Sequence, residues 1–224
     1  MLKVETSIGP VWVTAAEPRH KGDLAHIREV IEGDCYRMRK LKADGFRPKF
    51  MLDVGCAIGT ASLLAKHIWP GLNIFSVEPH CLPATERNLE NKAVVFKSAL
   101  AGFAGSPRMD DYIPRTTEDW QRYHAAMLRI GAVSVKDLFH VHKLPCIDLL
   151  KIDCEGAEAG ILAELNELGL LAEIQHVVGE WHFDFNRRSI PDILHDTHDV
   201  DLIWTGYGPP KKNEWNLFFA RAKA

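Results

Sequence analysis

The chain reads as an α/β protein with a doubly wound, mostly parallel sheet, and three observations predict it. Short apolar runs alternate with stretches of helical period from about residue 49 to residue 200, the pattern of strands crossed over by helices. One of these runs, Phe50-Met51-Leu52, leads through Asp53 and Val54 into Gly55-Cys56-Ala57-Ile58-Gly59, a strand followed by a tight turn and a helix start. The last two apolar runs, 201–207 and 215–220, are joined by the turn-rich G-P-P-K-K-N. That link is too short for a crossover helix, so the final pair is antiparallel.

Taken in order, residues 2–8 and 11–14 read as short strands around Gly9-Pro10, a hairpin that could serve as a lid. Residues 23–32 are helical, with Leu24, Ile27, Val30 and Ile31 on one face, and Gly33-Asp34 ends them. A second short helix is expected at 35–41. The helix after Gly59 carries Leu63-Leu64, His67 and Ile68, and stops at Trp69-Pro70-Gly71 because proline cannot continue it. A strand at 73–77, a helix at 83–91 and a strand at 93–97 follow. Further strands are expected at 147–152 and 174–179, with a helix at 155–168 between them and another at 188–197. The stretch 103–144 is long for a connection. In it, residues 116–130 form an amphipathic helix with Trp120, Tyr123, Met127 and Ile130 on a face, and Asp119 follows Thr116 at capping-box spacing. Such an insert either elaborates the fold or covers a site and chooses its substrate. The expected division is an N-terminal extension, 1–48, and a main domain, 49–224, bearing the insert.

The glycine loop narrows the ligand. A dinucleotide fold would show G-x-G-x-x-G after the strand, whereas this loop is D-x-G-x-x-x-G. An acidic residue beside the loop repels phosphate and suits an ammonium group or ribose hydroxyls. S-adenosylmethionine carries both and has no phosphate. The plainer reading is that Gly55 and Gly59 are only turn residues of an α/β domain.

Composition sets broad limits. The net charge of −3 and the lack of a basic run give no reason to expect a nucleic-acid partner. Five scattered cysteines without a C-x-x-C pair suit reduced thiols in the cytoplasm better than disulfides or a zinc site. No apolar run reaches membrane-spanning length, and the N-terminus lacks the apolar core of a signal peptide.

Several polar residues fall at strand ends, where sheets of this kind bind ligands. Glu78, followed by Pro79, closes the second main strand and is placed to accept both ribose hydroxyls of a nucleoside. Ser98 and Ala99, past the third, would border the adenine. Asp153 ends the strand of K-I-D-C-E-G-A-E (151–158), where it can hold the methionine ammonium or work on an acceptor. Glu155 and Glu158 fall in the first turn of the next helix, where the dipole favours acids; Glu158 is read in that role. Glu180 and His182 of G-E-W-H (179–182) share one side of a strand end by period 2. Either could act as general base on a hydroxyl, or make ordinary hydrogen bonds there. No metal ligand is assigned, although Asp153 and Glu155 could assist one.

With these motifs on the page, the sequence resembles the FkbM family of S-adenosylmethionine-dependent methyltransferases. The matching residues are L-D-V-G-C-A-I-G-T (52–60), S-V-E-P (76–79), S-A-L (98–100), I-D-L-L-K-I-D-C-E-G-A-E (147–158) and G-E-W-H (179–182), in the family's order. The resemblance implies a class I methyltransferase, Rossmann-like fold: a seven-stranded, mostly parallel sheet ending in an antiparallel C-terminal hairpin. It implies methyl transfer, typically to a hydroxyl of a small molecule, sugar or natural product. Asp53, Gly55, Cys56, Ala57 and Gly59 would form the cofactor loop, with Glu78 and Pro79 at the ribose and Asp153 and Glu155 at the reaction centre. The segment 29–37 would place Tyr36 over the cofactor. Cys56 departs from the alanine often found in the family loop. Two other readings stand beside this one. A dinucleotide-dependent oxidoreductase conflicts with the glycine spacing, and a non-catalytic module that binds the cofactor or S-adenosylhomocysteine would not need Asp153, Glu155, Glu180 and His182 together.

Overall fold

The strand–turn–helix expected at the glycine loop is the centre of the first of two compact units, 1–97 and 98–224. A computed structural model describes residues 1–16, 19–104, 106, 131–182, 190–203 and 217–223. Two strands, β1 (Leu2–Thr6) and β2 (Gly9–Val13), pair antiparallel at the N-terminus. Three parallel strands follow: β3 (Phe50–Val54), β4 (Asn73–Val77) and β5 (Val94–Phe96), in the register Val54↔Val77↔Phe96. Between them run α3 (Thr60–Ile68) and α4 (Pro83–Leu89), preceded by α1 (Arg19–His26), a π-helical turn at Ile27–Glu32, and α2 (Met38–Ala43).

The hairpin is part of this unit's core. Val11 and Val13 of β2 are buried in one cluster with Ile27, Ile31, Cys56, Ile58 and Leu89. Each aliphatic side chain so buried contributes roughly 1.5–3 kcal/mol. Where the sequence places the turn at Gly9-Pro10, the structure turns at Ser7-Ile8, and Gly9, at φ +105°, already pairs with Thr6. The Thr6 hydroxyl donates to the Gly9 carbonyl and fixes that register.

In the second unit, β8 (Leu149–Ile152) and β9 (His176–Glu180) are parallel, with Ile152 opposite Gly179. Next to β9 lies β11 (Leu217–Ala222), antiparallel both to β9 and to β10 (His198–Ile203). A short parallel pair, β6 (Ala99–Leu100) and β7 (Ala132–Val133), stands apart. The helices are α5 (Val135–His140), α6 (Glu158–Glu167) and α7 (Ile190–Leu194), with a 3-10 turn at Leu171–Glu173. Strands of both units order as β10-β11-β9-β8-β3-β4-β5 in one mostly parallel, seven-stranded sheet with an antiparallel hairpin at its C-terminal end, as the sequence predicts.

Boundaries move for local reasons. The helix expected from residue 155 begins at Glu158, because Glu155 sits at φ +61°, in the left-handed region that a helix cannot start through. The helix expected at 35–41 starts at Met38, since Arg37 is left-handed too. Helix α5 is not among the expected elements, yet its signal is present. Ser134 and Asp137 form a capping box, with the Asp137 amide donating to Ser134 Oγ at 3.0 Å. Residues 107–130, with the expected helix and its Trp120 and Tyr123, lie outside the described residues.

Candidate functional site

The loop after β3 is built from inside outward. Asp53, wholly buried, accepts a 2.6 Å hydrogen bond from Ser62 Oγ, which also meets Ser76 Oγ at 2.9 Å. This chain of polar groups ties the end of β3 to α3 and β4. Gly55 (φ +73°) and Ala57 (φ +49°) give the loop its turn, and the Gly55 amide donates to the Val77 carbonyl at 2.9 Å. Gly59 is required for two reasons. It adopts φ +88°, and a Cβ there would lie 2.7 Å from Leu89 Cδ2. The sequence reading gave the glycines a ligand-facing role; for Gly59 the structure adds packing against α4.

Glu78, at the end of β4, holds the loop directly. Its Oε2 accepts the Ala57 amide and its Oε1 the His80 amide, both at 2.9 Å. The Ala57 carbonyl in turn accepts the Thr85 hydroxyl at 2.7 Å. From α4, Asn88 donates to the Ile58 carbonyl at 2.8 Å and the Trp12 carbonyl at 2.9 Å, and it accepts the Trp12 amide at 2.8 Å. Cys56 and Tyr36 are buried, and Pro79 is half-buried.

The second unit gathers the acidic residues of both strand ends around one imidazole. The parallel register that sets Ile152 opposite Gly179 brings Asp153 and Glu180 out at neighbouring strand ends. His182 Nε2 lies 3.7 Å from Asp153 Oδ1, 3.8 Å from Glu155 Oε2 and 3.9 Å from Glu180 Oε1. Its Nδ1 meets Glu158 Oε1 at 2.9 Å. Burial opposes charge on this imidazole. The Glu158 hydrogen bond and the charges of Glu158, Asp153 and Glu155 outweigh it and raise His182 from 6.5 to about 9. At neutral pH His182 is therefore a cation. The neighbouring Cys154 thiol is pushed well up by burial, then by Glu158 and Asp153, so it is no thiolate nucleophile.

Glu158 is the residue whose role sequence reasoning missed. It heads α6, as the dipole reading expects, but is only 1% exposed. Besides His182, its Oε1 accepts the amides of Cys154 (3.0 Å) and Gly156 (3.1 Å), which moulds the turn that carries Asp153 and Glu155. The repeated acid in K-I-D-C-E-G-A-E, three residues past the left-handed Glu155, was the available signal. Asp153, Glu180 and His182 also each offer a ligand atom within 4.8 Å of the others. The sequence shows no such spacing, because the strand register assembles the group. Ser98 is half-buried and Ala99 opens β6 beside Ala132.

A mostly parallel seven-stranded sheet with a single reversed strand near its C-terminal end is the class I methyltransferase fold. A solved methyltransferase of precorrin-6y, C5,15-specific, from Geobacter metallireducens shares this fold. Its TM-score is 0.51 at 14% identity, and the match covers 94% of each chain. The N-methyltransferase NodS from Bradyrhizobium japonicum matches at a TM-score of 0.46 and 10% identity, over 88% of this chain and 97% of that one. No curated protein sequence matches. The methyltransferase FkbM domain matches residues 53–208, and the chain belongs to that family of S-adenosylmethionine-dependent methyltransferases.

Proposed function

We propose that the chain methylates a hydroxyl oxygen of a small molecule, sugar or natural product. The observation that carries this reading is the pair of carboxylates at the ends of β8 and β9, Asp153 and Glu180, held beside the His182 imidazolium. When bound, S-adenosylmethionine supplies a methyl group already activated by its sulfonium, so the protein mainly aligns the acceptor and removes its proton. In this reading Asp153 or Glu180 takes the hydroxyl proton. The His182 cation, flanked also by Glu155, holds that carboxylate in place.

The residues of the first unit fit the cofactor. Each Glu78 oxygen accepts one backbone amide, which leaves a further lone pair per oxygen for the ribose hydroxyls. Asp53, Gly55, Cys56, Ala57 and Gly59 shape the loop that would border the methionine portion. Pro79, Ser98 and Ala99 would line the nucleoside, and Tyr36 would cover it from the 1–48 segment. The insert 103–144 would select the acceptor.

Calorimetry with S-adenosylmethionine, S-adenosylhomocysteine and NAD tests the reading. The first two should bind and NAD should not; binding of NAD alone would overturn it. Glu78→Ala should weaken cofactor binding by about 1–3 kcal/mol, the cost of stranding hydrogen-bonding groups. Unchanged affinity would remove Glu78 from the ribose site.

A further inference from the structure

We infer that Asp153, Glu180 and His182 form a binding site for one divalent transition-metal ion of the manganese class. The three residues come from two strand ends and the segment after β9, and each turns a ligand atom to within 4.8 Å of the other two. Adjacent ligands on an octahedral ion lie about 3.0 Å apart and opposite ones about 4.2 Å. The distances from His182 Nε2 to Asp153 Oδ1 and Glu180 Oε1, 3.7 and 3.9 Å, fall between those values.

A second observation lies behind the group. The Glu158 carboxylate, 1% exposed, is turned onto the far nitrogen of the same imidazole, and its Oε2 has no hydrogen-bond partner among the described residues. A ligating histidine characteristically gives its other N–H to a buried carboxylate, which fixes the ring and leaves Nε2 for the ion. Four carboxylates (Asp153, Glu155, Glu158 and Glu180) also converge on this single ring.

The donor set argues for the metal class. Carboxylates suit magnesium, calcium and manganese while an imidazole suits iron, nickel, copper and zinc, so the mixed set favours a transition metal that accepts both, with manganese as the member easiest to follow. Three protein ligands leave positions open on an octahedral ion for water or an acceptor oxygen. A hydroxyl held there would lose its proton more readily, with Asp153 and Glu180 then serving as ligands and the exposed Glu155 beside them taking the proton. That consequence rests on the methyl-transfer reading, whereas binding of the ion does not.

The test uses the whole chain without cofactor or acceptor. Manganese(II) is titrated over a range of pH under anaerobic conditions, since ligating groups must give up their protons to the metal, and the free-ion paramagnetic resonance signal is followed. One equivalent should be taken up. Asp153→Asn, Glu180→Gln and His182→Gln should each lower affinity by about 10-fold or more, with folding checked by circular dichroism. Pulsed resonance on the wild-type chain should also show nitrogen coupling from a directly bound imidazole, which keeps the inference testable if a variant misfolds. No uptake, uptake indifferent to all three substitutions, or bound manganese without nitrogen coupling would each overturn it. Because S-adenosylhomocysteine binding is measured separately, failure of the metal site leaves the methyltransferase reading standing, and the reverse also holds.

Discussion

Asp153 and Glu180 end neighbouring parallel strands, and their carboxylates share the His182 cation at 3.7 and 3.9 Å. Either carboxylate stands where it could meet an acceptor hydroxyl or help to hold an ion. Asp153→Asn and Glu180→Gln each keep shape and remove charge. If the carboxylate acts on the acceptor, the variant should bind S-adenosylhomocysteine as the wild type does and lose roughly 10²–10⁴-fold in turnover. A loss of cofactor affinity in Asp153→Asn alone would assign that residue to the methionine ammonium and leave the proton to Glu180. His182 does not fit a base at neutral pH, because its neighbours keep it charged up to about 9.

At the scale of elements, the glycine loop is held less by itself than by α4. Asn88 binds both Trp12 and Ile58, so one amide joins the N-terminal hairpin to the loop. Asn88→Ala leaves three backbone groups without this partner and should destabilise the fold by about 1–3 kcal/mol. Urea denaturation measures it; an unchanged midpoint would mean that water replaces the amide freely. These elements also show what the sequence discloses. Apolar runs and punctuating glycines and prolines reveal where β3, β4, β8 and β9 end, and so which polar residues stand at the ligand edge. Hidden from the pattern is any feature set by one backbone angle or one distant partner. Glu155 at φ +61° delays α6, and the π-helical turn at Ile27–Glu32 has the same apolar face as an ordinary helix. The Glu158 side chain looks like any acid at a helix head until register brings His182 to it.

For the whole molecule, acid stability should depend on His198, the buried first residue of β10. Its Nε2 meets the Ile174 carbonyl at 2.9 Å and its Nδ1 the Thr197 hydroxyl at 2.8 Å. Burial lowers its pKa below 6.5, and the Ile174 carbonyl and Asp199 only partly restore it. The unfolded chain takes up this proton at about 6.5 while the folded chain resists it. Stability from this residue is therefore fully present above about 6.5, and it is lost as pH falls from there toward the lowered folded value. His198→Gln, which can keep polar contacts without titrating, should flatten that part of the stability–pH curve. An unchanged slope would show that other groups govern the acid limb.

One carboxylate in the second unit also bears on how this chain could diversify. From α6, Glu164 Oε2 accepts the Phe103 amide at 2.7 Å and the Val135 amide at 3.0 Å, and its Oε1 accepts the Lys136 amide at 3.3 Å. The chain thus leaves the sheet scaffold and rejoins it at the same oxygen atom. Sequence inserted or exchanged between those two amides need not alter where they stand. The arrangement is a socket, in which one carboxylate of the frame grips both ends of an intervening segment.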